Sequence, residues 1–194
     1  MRDIDVRTAV RSRLGRQHAG DPTTKIVEEM GIWGGSVRID VAVINGELCG
    51  YELKSARDTL ARLPAQAALY SEVFDRVTLV TADNHLEEAL DTVPHWWGIL
   101  VAAPTKTPAL HLRSRRIAKR NPAIDRLQVA RLLWRSEAIE ILLRRPDAKG
   151  VKSASAEKLA VMLSERLPLE DLRLEVRTKL KARSGWLGKH VDNL

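Results

Sequence analysis

Asp40, Glu52 and Lys54 are the residues whose types and spacing can do chemistry. They fall within "RIDVAVINGELCGYELKS", residues 38–55, where two apolar runs flank Asn45-Gly46. Two carboxylates with a lysine two residues beyond the second can hold a hard divalent cation on oxygen ligands, Mg²⁺ above all, with Mn²⁺ as its substitute. The lysine is then free to reach a bound water or a phosphate. Whether the carboxylates meet depends on the turn. A two-residue Asn45-Gly46 loop pairs Asp40 with Tyr51 and sends Asp40 and Glu52 to opposite faces. A three-residue loop over 45–47, with Gly46 left-handed in a bulge, pairs Ile44 with Leu48 and Asp40 with Glu52. Only the second register gives one nearly all-apolar face (Val37, Ile39, Val41, Val43, Cys49, Tyr51, Leu53), so it is the expected one. It sets the two carboxylates about 5 Å apart at Cβ, where they repel unless positive charge lies between them. The bland alternative is the solvated charged face of an ordinary hairpin.

The flanking pattern predicts the elements that must position these groups. A helix is expected over residues 3–16. Asp21 and Pro22 read as the start of a second helix running to Met30. Its buried stripe is Ile26, Val27 and Met30, with Glu29 leaning over the strands and Glu28 in solvent. Strands follow at 36–44 and 48–54, then a helix over 58–74 interrupted by Pro64. Gln66 and Tyr70 stand one turn apart on that helix and can hydrogen-bond a phosphate or fix a lysine. Strands at 76–82 and 97–103 bracket a short helix, and "TPALHLRSRR" reads as a last edge strand. Trp96 and Trp97 are expected in the core, and His85, His95 and His111 lack ligand spacing. From Asn121 the pattern is helical only, with Asn-Pro as the expected cap and Pro168 opening the last helix.

The order is a helix with Glu29, a strand with Asp40, a strand with "ELK", a helix with "QAALY", then a strand. It resembles the PD-(D/E)XK nuclease superfamily, whose core is an αβββαβ arrangement. "QAALY" is similar to the Q-x-x-x-Y motif of its RecB-like branch, although Asp40 follows "RI" where the motif has proline. The stretch from "RIDVAVING" through "VPHWWGILV", with "WRSEAIEIL" and "LPLEDLR", resembles an uncharacterised bacterial family assigned to that superfamily. The resemblance implies a restriction-endonuclease-like α/β core and Mg²⁺-dependent hydrolysis of nucleic-acid phosphodiesters, DNA ahead of RNA. It implies Asp40, Glu52 and the Leu53 backbone carbonyl as metal ligands, and Lys54 as the group that orients the attacking water. Glu29 would support the metal shell, and Gln66 and Tyr70 would position the phosphate or Lys54.

Charge divides the chain of 194 residues: 1–110 carry 12 Lys/Arg against 15 Asp/Glu, and 111–194 carry 20 against 10. The expected organisation is a nuclease-like core over 1–110 and a basic helical extension over 111–194. A basic half beside a slightly acidic one is a footprint of nucleic-acid binding. In "LPLEDLRLEVRTKLKAR" the stripe Leu169, Leu172, Val176 and Leu180 is flanked by Arg173, Arg177 and Lys181, a row that can lie along phosphates. No apolar run approaches a membrane span, and the N-terminus has no apolar signal-like core. The one cysteine, Cys49, cannot make an internal disulfide. A cytoplasmic setting is expected, and a homodimer stays open. The rival expectations are a nucleic-acid- or protein-binding module on the same fold and a regulator or toxin-like element whose charged face serves an interface.

Overall fold

The computed structural model describes residues 1–105 and 109–184. Six strands form one sheet in chain order: β1 (Lys25–Ile32), β2 (Val37–Ile44), β3 (Leu48–Lys54), β4 (Arg76–Ala82), β5 (Gly98–Pro104) and β6 (Leu110–Arg116). The first three form an antiparallel meander, β4 and β5 run parallel to β3, and β6 returns antiparallel at the edge. The parallel steps need crossovers, which α2 (Leu63–Ser71) and α3 (Leu86–Thr92) supply. Residues 107 and 108 of the expected edge strand, and 185–194 of the expected extension, lie outside the described residues.

Both faces of the sheet are covered. On one, α1 (Asp3–Gln17) buries Val6, Val10 and Leu14, spaced one turn apart, against Val41, Val43, Leu53, Val80 and Leu100. Ile4 is exposed. On the other face, α2 and α3 pack together with α4 (Arg126–Ala130), α5 (Arg135–Leu143), α6 (Ala156–Arg166) and α7 (Leu169–Ala182) in one continuous apolar cluster. The sheet therefore continues past residue 110 to Arg116, and the basic helices share its core. No helix among the described residues is long and apolar enough to cross a membrane.

The expected helix over 22–30 is corrected to a turn and strand β1. Asp21 accepts hydrogen bonds from Thr23 and Thr24 and closes a turn. The apparent helical stripe of Val27 and Met30 has a different origin. Glu29 takes a left-handed φ of 51°. That shifts the strand's alternation, so Val27 and Met30 pack into the same core three residues apart. β2 shifts at the matching place: Ile39 packs with α2's core, whereas Val41 packs under α1. The ladder runs through Glu28↔Val41 and Met30↔Ile39 and skips the Glu29–Asp40 pair between them.

Smaller corrections follow the same physics. The helix expected over 58–74 begins only at Leu63, and Pro64 stands in its first turn, where a missing N–H costs nothing. Asn121 does not cap a helix. Its side chain donates to the Ser71 and Phe74 carbonyls, and Asp125 caps α4. One long helix after it is thereby split into α4 and α5.

Asp75 ties the halves together. Buried just before β4, it accepts from the Leu48 N–H at 2.6 Å, receives the Asn121 N–H on its carbonyl at 2.8 Å, and pairs with Arg173 of α7. A chain ending at residue 120 would lose this partner and uncover Leu48, Val73 and Phe74. Such a truncation is expected to show no cooperative thermal transition by circular dichroism, and a transition like that of the full chain would contradict the shared core.

Candidate active site

The expected hairpin register is the observed one. Ile44 pairs with Leu48 and Val41 with Tyr51, which leaves 45–47 as the loop; the ladder ends at that last pair, and Asp40 and Glu52 lie just beyond it. The Asn45 N–H donates to the Glu47 carbonyl, and the Glu47 N–H donates to the Asn45 side-chain oxygen. Gly46 does not take the left-handed φ expected of it. The face with Glu52 is also not the polar surface foreseen. It lies under α2, and Glu52 is only 3% exposed and Lys54 6%.

A charge that deeply buried is tolerable only if each oxygen is satisfied. Lys54 Nζ donates to Glu52 Oε1 at 2.8 Å and to Gln66 Oε1 at 3.0 Å. Gln66 Nε2 donates to the same Glu52 Oε1 at 2.6 Å. The Tyr70 hydroxyl lies 3.0 Å from Glu52 Oε2 and 2.7 Å from the Arg38 carbonyl, either of which can accept its proton. The four side chains expected from "ELK" and "QAALY" thus form one closed network. It depends on α2 facing β3, because Gln66 and Tyr70 sit one turn apart on the face that also buries Leu63 and Ala67. Trp97, fully buried as expected, stacks on Tyr70 with ring centres 6.3 Å apart and holds the phenol in place. Burial, then the negative charge of Glu52, pushes the Tyr70 phenol up, so it stays protonated.

Asp40 stands where the strands diverge. Its Oδ2 accepts the Leu53 N–H at 2.8 Å, so a side chain takes the place of a ladder bond. Its Oδ1 lies 2.9 Å from Arg7 Nη2, and the same guanidinium reaches Glu29 Oε1 at 2.8 Å. Burial first, and the charge of Glu52 second, push the Asp40 carboxyl from 3.8 up to about 6, against the opposing pull of the Leu53 N–H and Arg7. Glu29 joins the site, but through Arg7 and from a strand. Glu28 pairs with Arg11 at 2.8 Å instead of standing free in solvent. Among the described residues no three Asp, Glu, His or Cys side chains converge as a metal cage.

Arg7 is the site residue that sequence reasoning missed. It has no motif, and its only signal is its place beside Val6 on the edge of the buried stripe of α1. The row on α7 is corrected in part. Arg173 is buried, paired with Asp75 and, at 2.8 Å, with Glu170. Arg177 lies 4.0 Å from Asp75, and Lys181 gives its backbone carbonyl to Lys25 Nζ at 2.9 Å. The row therefore faces the core at one end, and its charge serves the latch there. Cys49, whose thiol burial pushes up to about 11, is no nucleophile.

The raised Asp40 carboxyl has a measurable sign. The folded chain holds that proton more tightly than the unfolded chain, so stability is lost as pH rises from 3.8 through about 6. Asp40→Asn, which removes the charge at nearly constant volume, should match the parent near pH 4 and exceed its stability near pH 8 by about 1–3 kcal/mol. Denaturant unfolding at the two pH values checks this, and a difference that does not change with pH would contradict it.

Comparison with known proteins adds a family. Over 75 residues the chain is 35% identical to Protein cII of Enterobacteria phage P4, a match that covers 39% of this chain and 28% of the phage protein. A protein of unknown function from Silicibacter pomeroyi, SPO1766, superimposes with a TM-score of 0.47 at 22% identity, covering 77% of this chain and 97% of that one. The model of the family described as bacteriophage P4 protein cII matches residues 2–187, nearly the whole sequence, and the chain belongs to that family.

Proposed function

We propose that this chain is a divalent-metal-dependent nuclease of PD-(D/E)XK type. The observation that carries the proposal is the buried network of Glu52, Lys54, Gln66 and Tyr70, with the Asp40 carboxylate bonded to the N–H of Leu53 beside it. The order helix, three antiparallel strands, helix, parallel strand supports a restriction-endonuclease-like core.

The donor set fits a hard cation. Asp40, Glu52 and the Leu53 carbonyl offer oxygen alone, the ligand type that such a cation takes. Mg²⁺, or Mn²⁺ in its place, would supply Lewis-acid polarisation of a phosphoryl oxygen and a lowered pKa for bound water. The chain's own residues do the rest. The Leu53 N–H fixes the rotamer of Asp40, and Tyr70 and Gln66 hold the two oxygens of Glu52. Lys54, held by Glu52 and Gln66, is placed to orient a water and to offset charge gathering on a phosphate. The partner in this proposal is nucleic acid, DNA first. With Arg173 engaged internally, the exposed cations Arg113, Arg115 and Lys119, on and beyond the edge strand β6, are better placed than α7 to meet phosphates.

A second reading, a module that binds without cutting, has one observation in its favour. Arg7 and Lys54 already give each carboxylate a cationic partner. Cleavage separates the two. With single-stranded, double-stranded, branched and RNA substrates, the protein should cut at least one in Mg²⁺ or Mn²⁺ and none in EDTA. Asp40→Asn should lower the rate by roughly two to three orders of magnitude, the scale lost with one preorganised electrostatic group. Equal cutting by the parent and Asp40→Asn, or no metal-dependent cutting of any substrate, would overturn the nuclease proposal.

A further inference from the structure

Arg7 reaches the carboxylates from outside the hairpin, on a helix whose position is set by other contacts. Val6, Val10 and Leu14 hold α1 on the sheet. That places the Arg7 guanidinium, 14% exposed, between Glu29 and Asp40. Its Nη2 lies 2.8 Å from Glu29 Oε1 and 2.9 Å from Asp40 Oδ1, and its Nη1 donates to the Asp40 carbonyl at 3.1 Å. Nε adds a looser contact of 3.5 Å to Asp3. The backbone is shaped to receive it. Glu29 holds its left-handed φ at the one position where the β1–β2 ladder is interrupted, opposite Asp40. With Leu53 N–H on Oδ2 and Arg7 on Oδ1, both Asp40 oxygens have donors.

We propose that Arg7 is the built-in counter-cation of the carboxylate pair, and that it yields Asp40 to an arriving divalent cation. The inference rests on the proposed metal site and adds a competitor to it. Arg7 has a second carboxylate, Glu29, to which it can stay attached when it releases Asp40. Glu29 would then act as the parking place of the guanidinium and not as a metal ligand. α1, through Arg7, would report whether the site is loaded.

The test is Mn²⁺ binding to the full chain, read by loss of the free-ion signal in electron paramagnetic resonance, with thermal unfolding measured alongside. Arg7→Gln removes the competing charge and should bind Mn²⁺ about tenfold more tightly than the parent, as expected when a unit charge a few ångströms away is removed. Arg7→Lys keeps the charge and should stay close to the parent. Without metal, Arg7→Gln should unfold at a lower temperature than the parent, and saturating Mn²⁺ should raise it by more. Binding by Arg7→Gln alone would show that Arg7 blocks the site without yielding it, and would overturn the exchange. If the parent binds Mn²⁺ and Arg7→Gln binds equally or more weakly, Arg7 is structural and the inference fails while the metal site stands. If neither binds, both fail together. Circular dichroism of each variant excludes misfolding, and Arg7→Met, which also removes the charge and should likewise bind more tightly than the parent, carries the comparison should Arg7→Gln not fold.

Discussion

Glu52 is a carboxylate held 3% exposed inside an α/β core, and the arrangement around it follows from what that requires. Breaking a buried ion pair by removing one partner costs about 3–5 kcal/mol, a large share of the roughly 5–15 kcal/mol that keeps a domain folded. Lys54, Gln66 and Tyr70 are therefore bound to Glu52 by stability as much as by any chemistry. The crossover from β3 to β4 must bring α2 back over β3 in one rotation. Pro64 in its first turn and the buried Leu63, Ala67 and Tyr70 fix that rotation. Trp97 then stacks against Tyr70 from behind. Apolar side chains of the same shape often stabilise a fold as well or better. A function for the charges is the natural account of their being there.

The second constraint is the paired irregularity at Glu29 and Asp40. There β1 and β2 each shift the phase of their in–out alternation, and the ladder opens around Asp40. The opening frees Asp40 from strand geometry, lets its side chain take the Leu53 N–H, and leaves room for Arg7 from the opposite layer. One side of the sheet thus contributes Glu52 and Lys54, and the other contributes the cation on Asp40. The site lies where the two cores meet at the end of β3, and the helices after Arg116 keep one of those cores closed through the Asp75–Arg173 latch.

What the sequence made legible was local. The hairpin register follows from a period-two pattern and a three-residue loop, so the pairs from Ile44–Leu48 to Val41–Tyr51 could be set before any coordinates. Gln66 and Tyr70 follow from helical spacing alone. Misreadings arose where one period imitates another or where the partner is remote. A strand that shifts phase at Glu29 puts Val27 and Met30 three apart and passes for a helix. Arg7 meets Asp40 across 33 residues of chain, with no motif to announce it. Arg173 looked like part of a phosphate-facing row on an amphipathic helix because nothing local shows that Asp75, far upstream, is buried beneath it.

The central claim is that the Asp40–Glu52 pair is built to hold a divalent cation beside Lys54. The most direct measurement is anomalous X-ray diffraction from crystals of the protein soaked in Mn²⁺. The account predicts an anomalous peak in direct coordination with the Asp40 and Glu52 carboxylates and the Leu53 carbonyl, with Arg7 withdrawn from Asp40. Crystals that take up Mn²⁺ only elsewhere, with Arg7 and Lys54 still closed on both carboxylates, would contradict it.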